Sequence, residues 1–94
     1  MKIYLSGKIT GDENYRSKFA KVQEDLEQQG LTVLNRAILP TGFEHQQYMR
    51  ICKAMQKECE AIFLLPDWQE SQGARQEREW AGDFGQVVYE LDKL

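Results

Sequence analysis

The sequence predicts a three-layer α/β fold of the Rossmann or flavodoxin kind, with a four- or five-stranded, mostly parallel sheet. Three observations lead there. Short β-rich runs alternate with stretches of helical period in the order β-α-β-α-β-α-β. Helices between strands make crossover connections, and these place consecutive strands parallel. The run "AIFLLP" is apolar without alternation, as in a central strand covered on both faces. No linker, internal repeat or low-complexity tract divides the 94 residues, so a single domain is expected over 1–94.

The elements follow in order. "KIYLS", Lys2 to Ser6, is a β-rich run that stops at Gly7. A helix is expected from about Asn14 to Gln29. Tyr15, Phe19, Val22 and Leu26 share one face of it, and Gly30 is a suitable stop. "LTVLN", Leu31 to Asn35, is the second strand, followed by a loop with Pro40 and Gly42. A second helix is expected over about Glu44 to Lys57, with Tyr48, Cys52, Met55 and Cys59 in register. Ala61 to Pro66 is the third strand, and a third helix begins near Ser71, a good N-cap residue. "QVVYEL" closes the chain as the last strand.

Composition narrows the function classes. The chain is 41% hydrophobic and 29% charged, as in soluble globular proteins rather than disordered ones. A net charge of −3 argues against wrapping duplex nucleic acid or an anionic membrane. No apolar run approaches the roughly 18 residues of a membrane span, and the first residues enter a strand without a signal-peptide core, so a cytoplasmic setting is expected. Cys52 and Cys59 lie seven apart on one helix, a rise of about 10 Å that no disulfide bridges. They match no zinc spacing and read as buried thiols; with one histidine, His45, in the chain, no metal or organic cofactor is expected. So small a domain has a thin stability margin, which favours oligomerisation.

In open α/β sheets ligands bind beyond the carboxyl ends of the strands. Three segments lie there, Ser6 to Lys8 after the first strand, Asn35 after the second and Asp67 to Gly73 after the third, and the first and last carry the candidate residues. In "LSGKITG" Gly7 lets backbone approach a ligand, Ser6 offers a hydroxyl and Lys8 a charge; the plain alternative is an ordinary strand-to-helix turn. In "SQGARQEREWAGDFG", Ala74, Glu77, Ala81 and Phe84 fall on one helical stripe, so a carboxylate sits among inward apolar residues. Ser71 and Gly73 lie at the start of that helix, where free N–H groups favour an anion, and small residues such as Gly73 and Ala74 leave room for it. The alternative is that Ser71 only caps the helix and Glu77 only pairs with a neighbouring base. Trp68, at a strand end, is placed to stack on a flat ring or to pack; Trp80 lies off the stripe.

Together these segments resemble the nucleoside 2-deoxyribosyltransferase superfamily, in particular its small bacterial and phage branch, which is similar to 2′-deoxynucleoside 5′-phosphate N-hydrolases. The blocks that carry the likeness are "KIYLSG-x-ITG" at Lys2 to Gly11, "YMR" at Tyr48 to Arg50, "LLP-x-W" at Leu64 to Trp68 and "S-x-G-A-x-x-E-x-x-x-A" at Ser71 to Ala81. The resemblance implies that Glu77 attacks C1′ of a (deoxy)nucleoside or its 5′-phosphate and expels the base, with water or a second base as acceptor. It implies that Tyr4 and Ser6 line the substrate site, with Ser6 and Ser71 on a 5′-phosphate and Gly73 leaving room; Gly7, Lys8 and Ala74 are candidates for the same site by position, and Lys8, where many relatives have proline, would favour a phosphate. It also implies a homodimer. Where the superfamily often has an aspartate on the second helix this chain has Cys52, and Asp67 is a candidate to stand in for it. Three readings stay open: an N-glycosidic enzyme, a nucleotide-binding module without turnover, and a structural protein that has lost the site.

Overall fold

The computed structural model describes residues 1–91. Four strands form one sheet: β1 (Lys2–Ser6), β2 (Thr32–Asn35), β3 (Ala61–Leu64) and β4 (Val87–Glu90), in the order β2-β1-β3-β4. Every neighbouring pair is parallel, with Ile3 opposite Val33 and Ala61, and Phe63 opposite Tyr89. Three helices make the crossovers: α1 (Tyr15–Gln28), α2 (His45–Lys57) and α3 (Gln72–Asp83). Short 3-10 turns follow β2 at Arg36–Ile38 and precede α3 at Trp68–Glu70. The expected elements are all present, each within two residues of its expected ends, but Cys59, expected on the second helix with Cys52, lies beyond the end of α2. The sheet has four strands among the described residues and is wholly parallel.

The two faces of β1 divide the core. Ile3 and Leu5 point to one side and pack with Phe19, Val22 and Leu26 of α1. Tyr4 points to the other and packs with Cys52 of α2 and Ala81 of α3. This alternation is the period-two geometry of a strand acting between two helical layers. The α1 layer stops short of β4, where Val87 and Tyr89 stay exposed and Phe63 lies against the Tyr89 ring at 4.6 Å.

Helix ends are set by local chemistry. Gly30, with φ of 87°, turns the chain out of α1 in a conformation that side-chain-bearing residues avoid. The Glu44 N–H donates to Gln47 Oε1 at 2.9 Å in the capping box that starts α2.

One cation fastens the strand-end loops. Lys18 Nζ, on α1, donates to Lys8 O at 2.8 Å, to Asp12 Oδ2 at 2.6 Å and to Asp67 Oδ2 at 2.5 Å. The Lys8 N–H in turn donates to Asp67 Oδ1 at 3.0 Å. The loop after β1 is thereby tied to the segment after β3. Beneath this clip, Gly7 sits directly on Leu65. A Cβ at position 7 would lie 2.6 Å from Leu65 Cδ1 and 2.8 Å from its Cβ, closer than real contacts allow.

Gly7→Ala should therefore lower stability by about 1–3 kcal/mol, the usual cost of overpacking a filled site. Urea unfolding checks this, and a variant as stable as the wild type would show that the loop is not seated on Leu65.

Candidate active site

The residues of interest gather where β1 and β3 end and α3 begins. Ser71 is the N-cap of α3, its Oγ accepting the Ala74 N–H at 3.1 Å. That cap sets the rotation of the helix, and Gly73, Ala74, Glu77 and Ala81 become its buried side. Glu77 is only 5% exposed.

A carboxylate out of water needs donors. Glu77 has two from β1. The Tyr4 hydroxyl donates to Oε2 and the Ser6 hydroxyl to Oε1, both at 2.6 Å. Tyr4 and Ser6 are two apart on the strand, so both face α3 and each reaches one carboxylate oxygen. The Cys52 thiol of α2, itself fully buried, adjoins both Tyr4 and Glu77.

The electrostatics follow from this packing. Burial pushes the Glu77 carboxyl above its usual range, opposed by the bonds from Ser6 and Tyr4, the Arg36 charge and Cys52. Burial, then the neighbouring Glu77, raises the Tyr4 phenol well above its ordinary value and the Cys52 thiol to about 11. At neutral pH Tyr4 and Cys52 both keep their protons, and Tyr4 serves as a donor to the carboxylate.

Behind Glu77 lies a pair of amides, Gln56 buried and Gln86 half-buried. Gln56 Nε2, on α2, donates to the Glu77 carbonyl at 2.8 Å and to Gln86 Oε1 at 3.0 Å. Gln86 Nε2 returns bonds to Gln56 O at 2.7 Å and Cys59 O at 2.9 Å. Position 77 is thus fixed from the backbone side as well as through its carboxylate.

In front of Glu77 is a cavity of about 10 Å³, room for one water. Tyr4, Ser6, Gly7, Arg36, Ser71, Gly73, Ala74 and Glu77 take part in its wall. Two larger hollows meet at Arg36. One, of about 140 Å³, is bounded by Ile9, Tyr15, Leu39, Thr41 and Tyr48. The other, of about 360 Å³, is bounded by Thr10, His45, Glu70, Ser71, Gln72 and Gly73, and falls in the size range of small-molecule sites.

Of the residues singled out in the sequence, Tyr4, Ser6, Gly7, Ser71, Gly73, Ala74 and Glu77 come together around this cavity. Lys8, Asp67 and Trp68 do not line it. Lys8 Nζ pairs with Glu70 at 3.3 Å. Asp67 is held by Lys18 and the Lys8 N–H. Trp68 donates its indole N–H to Glu90 Oε1 at 3.1 Å, at the end of β4. Two residues were not singled out in the sequence, Arg36 and Gln56. Gln56 had a signal, being four residues after Cys52 and so on the same inward stripe. Arg36 had none.

Comparison with known proteins identifies the family and the fold. The sequence profile of the family described as a domain of unknown function, DUF4406, matches residues 1–90. No curated protein sequence gives a significant match. Among solved structures, a 2-desoxiribosyltransferase from Leishmania mexicana superposes with a TM-score of 0.76 at 16% identity, over 95% of this chain and 62% of the other. The CMP N-glycosidase BcmB of Clostridium botulinum superposes with a TM-score of 0.70 at 20% identity, over 96% of this chain and 70% of the other. The fold is the flavodoxin-like fold of the nucleoside deoxyribosyltransferases. The chain spans about 62% of the length of the first of these enzymes.

The raised Glu77 pKa makes stability depend on pH. A carboxyl with a higher pKa folded than unfolded favours the fold fully below its unfolded value, near 4.5, and this contribution is lost as pH rises through the folded value. Glu77→Gln carries no such dependence. Its melting temperature relative to the wild type should therefore climb from pH 4 to pH 8. A difference that is flat, or that falls with pH, would contradict the burial of an ionising group here.

Proposed function

The chain belongs to the DUF4406 family, and we propose that it cleaves or transfers at the N-glycosidic bond of a (deoxy)nucleoside or its 5′-phosphate, with Glu77 as nucleophile. One observation carries the reading. A single buried carboxylate, oriented by two hydroxyls, faces a cavity at the carboxyl ends of β1 and β3. Two enzymes that share the fold, a deoxyribosyltransferase and an N-glycosidase, support the general kind of reaction.

The chemistry suits the site. A Glu77 oxygen forms a bond to C1′ as the bond from C1′ to the base nitrogen breaks. The bonding pair leaves with the base, which takes up a proton, and positive charge spread over C1′ and the ring oxygen is met by the carboxylate. Water or a second base then attacks C1′ and releases Glu77. Tyr4 and Ser6 hold the carboxylate in one orientation, which places the reacting oxygen before substrate arrives. Their hydrogen bonds and the Arg36 charge favour the ionised form, while burial keeps it poorly solvated and reactive. Ser71, Gly73 and Ala74 form the adjoining wall.

The water-sized cavity has a consequence. A sugar reaches Glu77 only if the side chains at the mouth move, and Arg36, which borders the cavity and both larger hollows, is the side chain placed to do so. Cys52 favours a second reading. A neutral thiol cannot supply the negative charge of an aspartate, and a site without that charge suits binding of a nucleotide without turnover. The homodimer and the cytoplasmic setting expected from the sequence belong to this proposal.

Purified protein offered a panel of ribo- and deoxynucleosides and their 5′-phosphates should release base from at least one, as read by chromatography with mass detection. Because the nucleophile must be ionised, the rate should rise with pH through a value above the ordinary glutamate range. Glu77→Gln should lose at least 10³-fold, roughly the order seen when a nucleophile is removed. No release from any compound, with a nucleotide recovered intact from the protein, would replace this reading by the binding one.

A further inference from the structure

Among the described residues, Arg36 is the one basic side chain that borders the cavity at Glu77. It follows β2, where Asn35 accepts the Ala37 N–H at 2.8 Å and so fixes the 3-10 turn. Arg16 steadies the same turn from α1 through Ala37 O at 2.6 Å and Leu39 O at 3.1 Å. The Arg36 guanidinium carbon lies 4.2 Å from the centre of the Tyr48 ring. Tyr48 is itself held, its hydroxyl donating to Pro40 O at 2.7 Å. A planar cation stacked on a fixed ring is oriented but keeps its N–H edges for other partners.

Those edges have no hydrogen-bond or ion-pair partner among the described residues. The contrast with the other basic groups near the strand ends decides the matter. Lys8 is paired with Glu70, and Lys18 with Asp12 and Asp67. One guanidinium nitrogen lies 3.7 Å from where a Gly73 Cβ would be, so the fork reaches the wall that Gly73 leaves bare. Its charge also acts on Glu77 and Cys52, as expected of a cation at the mouth of their cavity.

We propose that Arg36, held on Tyr48, is the specificity residue that reads a phosphoryl group on the substrate's sugar and selects nucleotides over nucleosides. The sequence pointed to Ser6, Ser71 and Lys8 for this task, but the Ser6 hydroxyl donates to Glu77, Ser71 caps α3 and the Lys8 ammonium is engaged with Glu70, whereas Arg36 presents a free fork suited to two phosphate oxygens. The assignment rests on the reading of this site as a nucleotide site. It also accounts for the small cavity: Arg36 stands at its mouth until a phosphoryl group draws the guanidinium to itself.

The test is binding of the four 2′-deoxynucleosides and their 5′-monophosphates by titration calorimetry, with the full chain, Arg36→Met, Arg36→Lys and Tyr48→Leu. Circular dichroism and melting temperature report whether each variant folds. The wild type should bind at least one monophosphate about tenfold or more tighter than its nucleoside, the scale of a charge-assisted bond. Arg36→Met should reduce that preference to within about threefold by weakening monophosphate binding, while Arg36→Lys, which keeps the charge but not the fork, and Tyr48→Leu, which removes the platform, should fall between. A wild type without preference for the monophosphate, or a preference that survives in Arg36→Met, would overturn the assignment. If Arg36→Met does not fold, Arg36→Lys decides, an undiminished preference overturning it. A preference that tracks Arg36 in a protein that releases no base would leave Arg36 in place and remove the enzymatic reading instead.

Discussion

The carboxylate of Glu77, held between the hydroxyls of Tyr4 and Ser6, is the constraint on which the rest depends. It joins the first strand to the third helix across more than seventy residues of sequence. Leaving such a group buried without partners costs several kcal/mol, so strand and helix must meet in this register. An apolar residue at position 77 would pack with less difficulty. The fold retains a group that burial disfavours and surrounds it with donors, the arrangement expected where a carboxylate has work to do.

The surrounding structure serves that placement. Ser71 starts α3 at the rotation that turns Glu77 inward. Gln56 and Gln86 hold its backbone from behind. Lys18 binds the loop after β1 to the loop after β3, and Gly7 lets β1 end flush against Leu65. Gln56, Gln86 and Lys18 do this without lining the cavity. They fix the ends of two neighbouring strands, which is where parallel sheets present their chemistry.

How much of this was legible in the sequence depends on how far apart the partners are. Strands and helices were visible because their signal is periodic and local, as with Phe19, Val22 and Leu26. Glu77 was visible because it broke an apolar stripe. Lys8, Asp67 and Trp68 read as residues facing a ligand because each stands at a strand end. Their actual partners, Glu70, Lys18 and Glu90, lie 62, 49 and 22 residues away, and no local pattern reveals that. Arg36 is the converse. A lone base after a strand is unremarkable in sequence, and it gains meaning only when Tyr48 and Gly73 fold against it. Gln56 gives no local sign because a glutamine on a helix is usually a solvated one; here its Nε2 is met by the Glu77 carbonyl and by Gln86, 30 residues on, while its Oε1 is buried without a partner among the described residues.

The central claim is that Glu77 bonds covalently to the anomeric carbon. The most direct measurement is the intact mass of the protein after rapid acid quench of a reaction with a nucleotide that it cleaves. The account predicts an added mass equal to the sugar portion of the substrate, mapped by peptide sequencing to Glu77. Base release with no adduct at any quench time, and with inverted configuration at C1′ in the product, would contradict it, because the carboxylate would then be activating water rather than attacking the sugar itself.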